Sequence, residues 1–311
     1  MKINSAKIMK NLKKMSLYSW ILIILIATLM ICIIKKRYSN PMREGFTQSE
    51  RFTTKRGEEI YDTFYTQIYD DLFFKQFSTQ FEVGTIINET SPTRQSIILE
   101  IGSKTGNLLG LLKEKGYDNL TGLETTEEMV KKAKENYPDI DFKKGNATKT
   151  MIFDSASFTH IMIMNLTFYH FQDQRQLLQN CFDWLKPGGY IIINLVNKDL
   201  FNPLPPASNP LFLISPQRFA KKRITKGVVK FNNFNYESNF FVFPNDMVKF
   251  SEIFEDTTTG NVRQNELGLF MPKQMTIISM AQEIGFISLS KIDLVKGQKE
   301  YQYLYIFYKP N

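Results

Sequence analysis

The chain contains only two cysteines and two histidines among 311 residues, which limits both its possible cross-links and its metal chemistry. Cys32 lies in an apolar segment and Cys181 in a predicted buried helix, so no disulfide framework is available and a reducing compartment is expected. His160 and His170 belong to no Cys/His cluster and to no His-Glu-x-x-His pattern. The sequence therefore predicts neither a disulfide nor a metal site.

Most of the chain also lacks an excess of either charge, although its formal net charge is +8. Residues 1–56 hold 12 lysines and arginines against 2 acidic residues, which leaves 27 basic and 29 acidic residues in the remaining 255. A nucleic-acid footprint would place a basic surface on the folded part of the protein. We therefore expect no nucleic-acid partner, and we attribute the net charge to the flanks of an N-terminal apolar segment.

That apolar segment, residues 15–34, contains no charged side chain and could cross a hydrocarbon layer of about 30 Å as a helix. The alternative, a cleavable signal peptide, needs a shorter apolar run and small residues at a cleavage site, whereas this run continues directly into residues 35–37, Lys-Lys-Arg. We predict a basic segment and membrane anchor over 1–37. Residues 38–57 are predicted to form a juxtamembrane linker, and 58–311 a globular domain.

Residues 97–107 combine an apolar strand, a carboxylate and a glycine turn that precedes a predicted helix. Backbone N–H groups in such a turn can approach a ligand closely, and the positive end of the helix favours anionic groups. The dinucleotide fingerprint G-x-G-x-x-G is not matched, because Lys104 and Asn107 occupy its second and third glycine positions. An NAD(P) oxidoreductase is therefore the weaker alternative for this nucleotide-binding loop.

Further elements follow this loop in a fixed order. A short strand ends in Glu124, whose two carboxylate oxygens can accept the hydroxyl hydrogens of a ribose. Next come a helix over 125–137, a strand and turn over 141–147, a strand and loop over 158–171, and a helix, turn and strand over 181–196. With this order, the chain resembles class I S-adenosylmethionine (SAM) dependent methyltransferases of the broad small-molecule branch. More specifically, it resembles membrane-anchored methyltransferase-domain proteins of large DNA viruses.

The resemblance implies a Rossmann-like α/β fold with a seven-stranded sheet whose last strand is antiparallel, and SAM as the cofactor. Two residues depart from the family pattern. Lys104 replaces the middle glycine of the loop and could pair with the methionine carboxylate of SAM, while Asn146 replaces an acid near the adenine. The cofactor-binding residues that the resemblance implies are Glu100, Gly102, Ser103, Lys104, Gly106, Glu124, Asn146, Ala147, Asn165 and Tyr69.

The loop that follows the fourth predicted strand is where the resemblance places the methyl acceptor, beside Asn165, Tyr169 and His170. If the acceptor must lose a proton, His170 is the predicted base and Tyr169 the second candidate. A purely structural role for His170, as a cap of this loop, is the alternative.

Two regions outside the cofactor half have interpretable patterns. Aromatic residues recur at helical intervals within 58–81, which predicts an amphipathic helix that either packs on the sheet or covers SAM with Tyr69. An insertion over about 202–271 alternates with period two, which predicts an antiparallel lid. Six aromatic residues of the insertion could either contact a substrate or attach the lid to the sheet: Phe231, Phe234, Tyr236, Phe240, Phe241 and Phe243.

Taken together, these features predict a membrane-anchored, SAM-dependent methyltransferase that acts on a small-molecule or lipid acceptor. Because SAM is expected to be cytosolic, the domain would face the cytosol or a virion interior. The alternative is a catalytically degenerate methyltransferase fold that serves as a tethered binding module, which the departures at Lys104 and Asn146 motivate.

Overall fold

The computed structural model describes the placement of residues 16–38, 48–209 and 214–311, except for the side chains of 17, 29 and 32–38. The chain divides into two compact units, Met1–Gly45 and Phe46–Asn311.

The first unit contains helix α1 (Leu17–Tyr38), which coincides with most of the predicted anchor. The predicted start of the anchor, at residue 15, and nine of the α1 side chains lie outside the described part. Among the residues that could be searched, the structure has no helix that is both long and apolar enough to cross a membrane. The membrane anchor therefore stays a prediction.

The second unit alternates strands and helices along most of its length. Its described strands are β1 (Phe52–Arg56), β2 (Ile97–Ile101), β3 (Asn119–Glu124), β4 (Asp141–Lys144), β5 (Phe158–Ile163), β6 (Leu185–Val196), β7 (Lys226–Lys230), β8 (Phe234–Val242), β9 (Met247–Asp256), β10 (Val262–Phe270), β11 (Ile287–Asp293) and β12 (Gln302–Tyr308). Its described α-helices are α2 (Thr63–Phe73), α3 (Gln76–Thr90), α4 (Asn107–Glu114), α5 (Glu127–Asn136), α6 (Gln174–Trp184) and α7 (Gln274–Ile284).

A mixed sheet in the order β11-β12-β6-β5-β2-β3-β4 forms the centre of this unit. Neighbouring strands pair in parallel, except that β12 is antiparallel to both β6 and β11. Helices cover both faces: α6 and α7 pack on one, where Trp184 is buried, and α3, α4 and α5 on the other, where Leu109 is buried. The central strands are continuous apolar runs because both of their faces are covered. The predicted α/β, Rossmann-like fold is confirmed.

A second sheet, in the order β1-β10-β9-β8-β7, accounts for the predicted insertion. Its insertion strands are antiparallel, while β1 pairs in parallel with β10, with Phe52 opposite Val262. The prediction that 38–57 forms a linker is therefore wrong for its last residues; residues 39–47 lie outside the described part. The β-branched and aromatic residues of β1 favour a strand. The surrounding segment is polar, however, so the sequence alone does not predict that β10 pairs with it.

The predicted amphipathic helix within 58–81 is also corrected. A 3-10 helix (Gly57–Ile60) precedes α2, which begins where the Asp62 carboxylate accepts the Tyr65 N–H at 3.0 Å. The chain leaves helical geometry at Phe74, whose ψ is 130°, and re-enters it in α3. Apolar spacing continues through this break, so the period alone could not locate it.

Candidate functional site

A cavity of about 250 Å³ opens where the loop after β2 faces α2 and the second sheet. The loop contributes residues 102–105 to its wall, and α2 contributes Tyr65, Tyr69, Asp70 and Phe73. This is the carboxyl end of the parallel strands, where ligands bind in open α/β sheets. The position of the cavity therefore agrees with the predicted nucleotide-binding loop.

The turn of the loop depends on Gly102. Its N–H donates to the Leu123 carbonyl at 2.7 Å, and its φ of +72° is a conformation that favours glycine. A Cβ at this position would lie 2.3 Å from Thr167 Cγ2. Glycine is therefore required here both by the positive φ of the backbone and by the close approach of Thr167 from the loop after β5.

Asp70 of α2 holds the far end of the loop. Its Oδ1 accepts hydrogen bonds from Thr105 Oγ1 at 2.6 Å and from Asn107 Nδ2 at 2.8 Å. The helix that covers the cavity and the loop that forms its floor are thereby joined. No sequence pattern predicts this contact of Asp70, because only the fold brings residues 70 and 105 together.

Two polar side chains on the cavity wall are buried and unsatisfied. Glu100 Oε2 and Ser103 Oγ have no hydrogen-bond partner among the described residues, although both residues line the cavity. Burial, and then the negative charges of Glu124 and Glu82, raise the pKa of Glu100 well above its ordinary value. Buried polar atoms are normally paired, so these two indicate a place where a ligand's polar groups would bind.

Lys104 and Glu124 form an ion pair beside these groups. The Lys104 backbone N–H donates to Glu124 Oε2 at 3.1 Å, and Lys104 Nζ lies 3.6 Å from the same oxygen. The ammonium also lies 4.9 Å from the centre of the Tyr61 ring. Burial alone would lower the pKa of Lys104, but Glu124 and then Tyr61 and Tyr69 raise it above its ordinary value. Lys104 is therefore charged.

The opposite wall of the cavity is mostly apolar. Six aromatic residues of the insertion were predicted either to contact a substrate or to attach the lid. Phe240 lines the cavity, Phe231, Phe234 and Tyr236 pack in the apolar cluster that includes α2, and Phe241 and Phe243 are exposed. Further apolar lining comes from Phe73, Phe201, Phe250, Leu267 and Leu269. Both alternatives for the insertion therefore hold in part: some of its side chains line the cavity and others attach the sheet to the helix.

One polar group at this wall could not be predicted from the sequence. Lys299, from the loop before β12, donates to Glu82 Oε1 at 2.6 Å and to Asn165 Oδ1 at 2.8 Å. Its sequence neighbourhood carries no motif, and only the fold brings residues 82, 165 and 299 together. Within the described part of the chain, no group of three or more His, Cys, Asp or Glu residues could hold a metal ion.

His170, the predicted base, lines the cavity. Burial, and then the positive charge of Lys104, lower the pKa of His170 to about 3. The imidazole is therefore neutral near pH 7 and can accept a proton. A pKa so far below neutrality makes it a weak base, because general-base catalysis is most efficient with a pKa near the working pH. Its catalytic role stays a prediction.

The low pKa of His170 predicts how stability depends on pH. The unfolded chain binds a proton at His170 near pH 6.5, whereas the folded chain does so only near pH 3. The free energy of unfolding should therefore fall as the pH falls from about 6.5. Urea unfolding of the wild type and of His170→Gln at pH 5.0 and 7.5 would measure this, and the variant should show the smaller pH difference. Equal pH differences in the two proteins would contradict the placement of His170.

The predicted site residues divide into two groups. The cavity is lined by Glu100, Gly102, Ser103, Lys104, Asn165, His170 and Tyr69. In the described part of the chain, its lining does not include Gly106, Glu124, Asn146, Ala147 or Tyr169.

Gly106, Asn146 and Ala147 each have a local reason for lying outside the cavity lining. Gly106 begins α4 with a φ of +85°, and a Cβ there would lie 2.7 Å from Phe142 Cζ. The exposed Asn146 uses its side-chain oxygen to accept from the Thr148 N–H at 3.0 Å, which closes a local turn. Ala147 is buried in the core.

Tyr169 is a correction to the predicted catalytic pair. Its side chain is fully buried, and its hydroxyl accepts the Val196 N–H at 2.9 Å. Burial raises the pKa of Tyr169 above its ordinary value. The residue therefore attaches the loop after β5 to β6. Tyr169 and His170 lie in a 3-10 helix, whose adjacent side chains point about 120° apart, so one is buried in the core while the other lines the cavity.

Tyr169→Phe should accordingly affect stability and spare ligand binding. The variant leaves the buried Val196 N–H without its acceptor, so we expect the free energy of unfolding to fall by about 1–3 kcal/mol. Urea unfolding would measure this loss, and calorimetry with SAM should give an unchanged affinity. A variant of normal stability that has lost methyl transfer would restore Tyr169 to the catalytic role.

Comparisons with known proteins agree with this geometry. Residues 98–189 match the sequence profile of a methyltransferase domain. A demethylmenaquinone methyltransferase from Chlorobaculum tepidum is 32% identical over 108 residues, which cover 34% of this chain and 44% of that protein. The chain thus spans less than half the length of this curated relative.

Solved structures show the same fold. The CcbJ methyltransferase from Streptomyces caelestis superposes with a TM-score of 0.63 at 15% identity, covering 82% of this chain and 100% of that one. SAM-bound CalS10, an amino pentose methyltransferase from Micromonospora echinaspora, gives 0.52 at 14% identity, covering 74% and 91%. The resemblance to membrane-anchored viral proteins stays a prediction. Residues 98–189 thus match a methyltransferase domain in sequence, and the chain shares its fold with solved methyltransferases, one of them bound to SAM.

Proposed function

We propose that the chain is a membrane-anchored enzyme that transfers a methyl group from SAM to a small-molecule or lipid acceptor. The observation that carries the proposal is the cavity itself, which joins the loop after β2 to an apolar wall from the second sheet. One side is suited to a nucleoside and the other to an apolar acceptor. The demethylmenaquinone and amino pentose methyltransferases similar to this chain are consistent with acceptors of either kind.

The residues present fit SAM, with one exception. Glu100 Oε2 and Ser103 Oγ are buried without partners at the cavity and could bind polar groups of the nucleoside. Glu124, which the resemblance assigns to the ribose, is covered by Lys104 in this arrangement. When bound, SAM supplies an activated methyl group on a sulfonium centre.

The contribution of the protein is then mainly positioning. Aromatic and aliphatic side chains of the second sheet exclude water from the apolar wall, and α2 closes the cavity above the loop through Asp70. Holding the acceptor in line with the methyl group lowers the barrier without further covalent chemistry by the protein. The neutral His170 at the wall can accept a proton if the acceptor must lose one.

Calorimetry of the full chain in detergent, titrated with SAM, tests the cofactor half of the proposal. Binding with one site per chain is the expected result. Undetectable binding at millimolar SAM would instead favour the second candidate, a tethered binding module that has lost catalysis. The covered position of Glu124 is the specific observation in favour of that alternative.

The acceptor half can be tested with SAM that carries a labelled methyl group. Label that partitions into the organic phase after incubation with a membrane lipid extract would identify a lipid acceptor. Label in water-soluble products after incubation with aminosugars would identify a small polar one. Transfer to neither set by a SAM-binding protein would contradict both acceptor classes.

The anchor and the orientation rest on the sequence, and they extend the proposal to the location of the enzyme. Residues 15–34 would hold the second unit at a bilayer, with that unit on the SAM-containing side. The full chain should remain in the membrane pellet after alkaline carbonate extraction, whereas a chain lacking residues 1–45 should be released. Release of both forms would exclude the anchor.

A further inference from the structure

Lys104 pairs with Glu124, the carboxylate that the resemblance assigns to a ligand's sugar. It lies in the loop after β2 with a φ of +51°, and its N–H and its ammonium both approach Glu124 Oε2. The other carboxylate oxygen, Oε1, accepts the Thr125 N–H at 2.8 Å and its hydroxyl at 3.2 Å. Both oxygens of Glu124 are thus engaged within the protein, while the Lys104 side chain lies on the cavity wall.

The contact between the two charged groups is loose enough to be exchanged. A separation of 3.6 Å exceeds the usual limit for an N–H···O hydrogen bond, so the ammonium is held mainly by charge. The Lys299 ammonium, which lines the same cavity, lies only 2.6 Å from Glu82 and also donates to Asn165. Of these two lysines, Lys104 is therefore the one whose carboxylate partner is more easily replaced.

Neither Lys104 nor Glu124 can lose its charged partner without a replacement, because both side chains are largely buried. The side chain of Glu124 is only 3% exposed and that of Lys104 15%, so separating them leaves two charges that each need a new partner. Hydroxyl groups of a ribose would satisfy the carboxylate, and a carboxylate would satisfy the ammonium. A nucleoside that carries an amino-acid carboxylate offers both in one molecule.

We propose that Lys104 exchanges partners when the cofactor binds, releasing Glu124 to the ribose hydroxyls and pairing with the cofactor's carboxylate. Lys104 is then a specificity-determining residue, since the site discriminates against nucleosides that lack a carboxylate. The inference rests on the proposed function, because it takes a SAM-like nucleoside as the ligand.

Two probes separate the halves of this exchange. S-adenosylhomocysteine carries both the ribose and the amino-acid carboxylate, whereas 5′-methylthioadenosine carries the ribose but no carboxylate. Calorimetry with the full chain in detergent should show S-adenosylhomocysteine binding tighter than 5′-methylthioadenosine by about tenfold or more, the contribution of one charge-assisted hydrogen bond. In Lys104→Met, 5′-methylthioadenosine should bind tighter than it does to the wild type, and the ratio between the probes should fall to about threefold or less.

The control is Lys113→Met, which removes a partly exposed lysine that pairs with Asp118 at the C-terminal end of α4 and does not line the cavity. It should leave both affinities unchanged. Lys104→Gly repeats the test with a residue that favours positive φ, in case the methionine variant folds poorly. Equal loss of both affinities in the Lys104 variants, or an unchanged ratio, would overturn the exchange while leaving SAM binding intact. Failure of every protein, wild type included, to bind either probe would overturn the proposed function and the exchange together.

Discussion

Arg263→Met is expected to lower the free energy of unfolding by about 1.5–3 kcal/mol, the usual contribution of hydrogen bonds to a charged group. Arg263, on β10, is only 2% exposed. Its Nη1 donates to both oxygens of Asp62, at 2.9 and 2.8 Å, and its Nη2 donates to the Ile60 carbonyl at 2.7 Å. The substitution removes all three of these hydrogen bonds and leaves Asp62, whose side chain is 32% exposed, paired with Lys55 alone.

The functional consequence follows from the position of Asp62 at the start of α2. That helix carries Tyr69 and Asp70 to the cavity, so a displaced α2 should also weaken SAM binding. Arg56→Met is the matched control, because Arg56 is 71% exposed and pairs with Glu266 on the adjacent strand. An exposed pair contributes about 0–1 kcal/mol. Similar losses for the two variants in urea unfolding would refute the importance of the buried pair.

Gly102→Ala should damage both the fold and the ligand site. The Cβ of the new alanine would lie 2.3 Å from Thr167 Cγ2, and the alanine would have to adopt a φ of +72°. Backbone strain and overpacking together predict a loss of about 2–4 kcal/mol in the free energy of unfolding. Because Thr167 lies between Leu166 and His170 on the cavity wall, its displacement should weaken SAM binding by about tenfold or more.

Gly260→Ala separates the two contributions. Gly260 has a similar φ of +69°, but a Cβ there meets nothing within 4 Å. This variant should show only the backbone part, about 1–2 kcal/mol, and unchanged SAM affinity. The double variant Gly102→Ala, Thr167→Ala should recover part of the lost affinity, since the threonine methyl group and hydroxyl are the closest contacts. Equal effects of the two glycine variants would contradict the close approach at Gly102.

The parallel half of the fold could be predicted because its signals are local. The strand, carboxylate and glycine of 97–102 are adjacent in the sequence, so they predict this loop without any information from distant residues. β1 and the break at Phe74 could not be predicted in this way. A short polar strand becomes a strand only when β10, some 200 residues later, supplies its hydrogen bonds, as the pairing of Phe52 with Val262 shows.

The site was partly predictable for the same reason. Residues of the loop after β2 line the cavity because the loop geometry is encoded next to them. Tyr169 was misplaced because adjacent side chains of a short 3-10 helix point about 120° apart, and the sequence does not say which one faces the cavity. The contacts of Lys299 with Glu82 and of Lys104 with Glu124 join residues that are distant in the sequence, so motif spacing could not predict them.

The parallel pairing of β1 with β10 has a consequence for how the protein is made. On a ribosome, Phe52 emerges 210 residues before Val262, so this edge of the second sheet can close only after the insertion has been synthesised. Until then the first strand has no partner. A recombinant form that starts after Arg56 would never close that edge, and the unpaired amides and carbonyls of β10 would favour self-association.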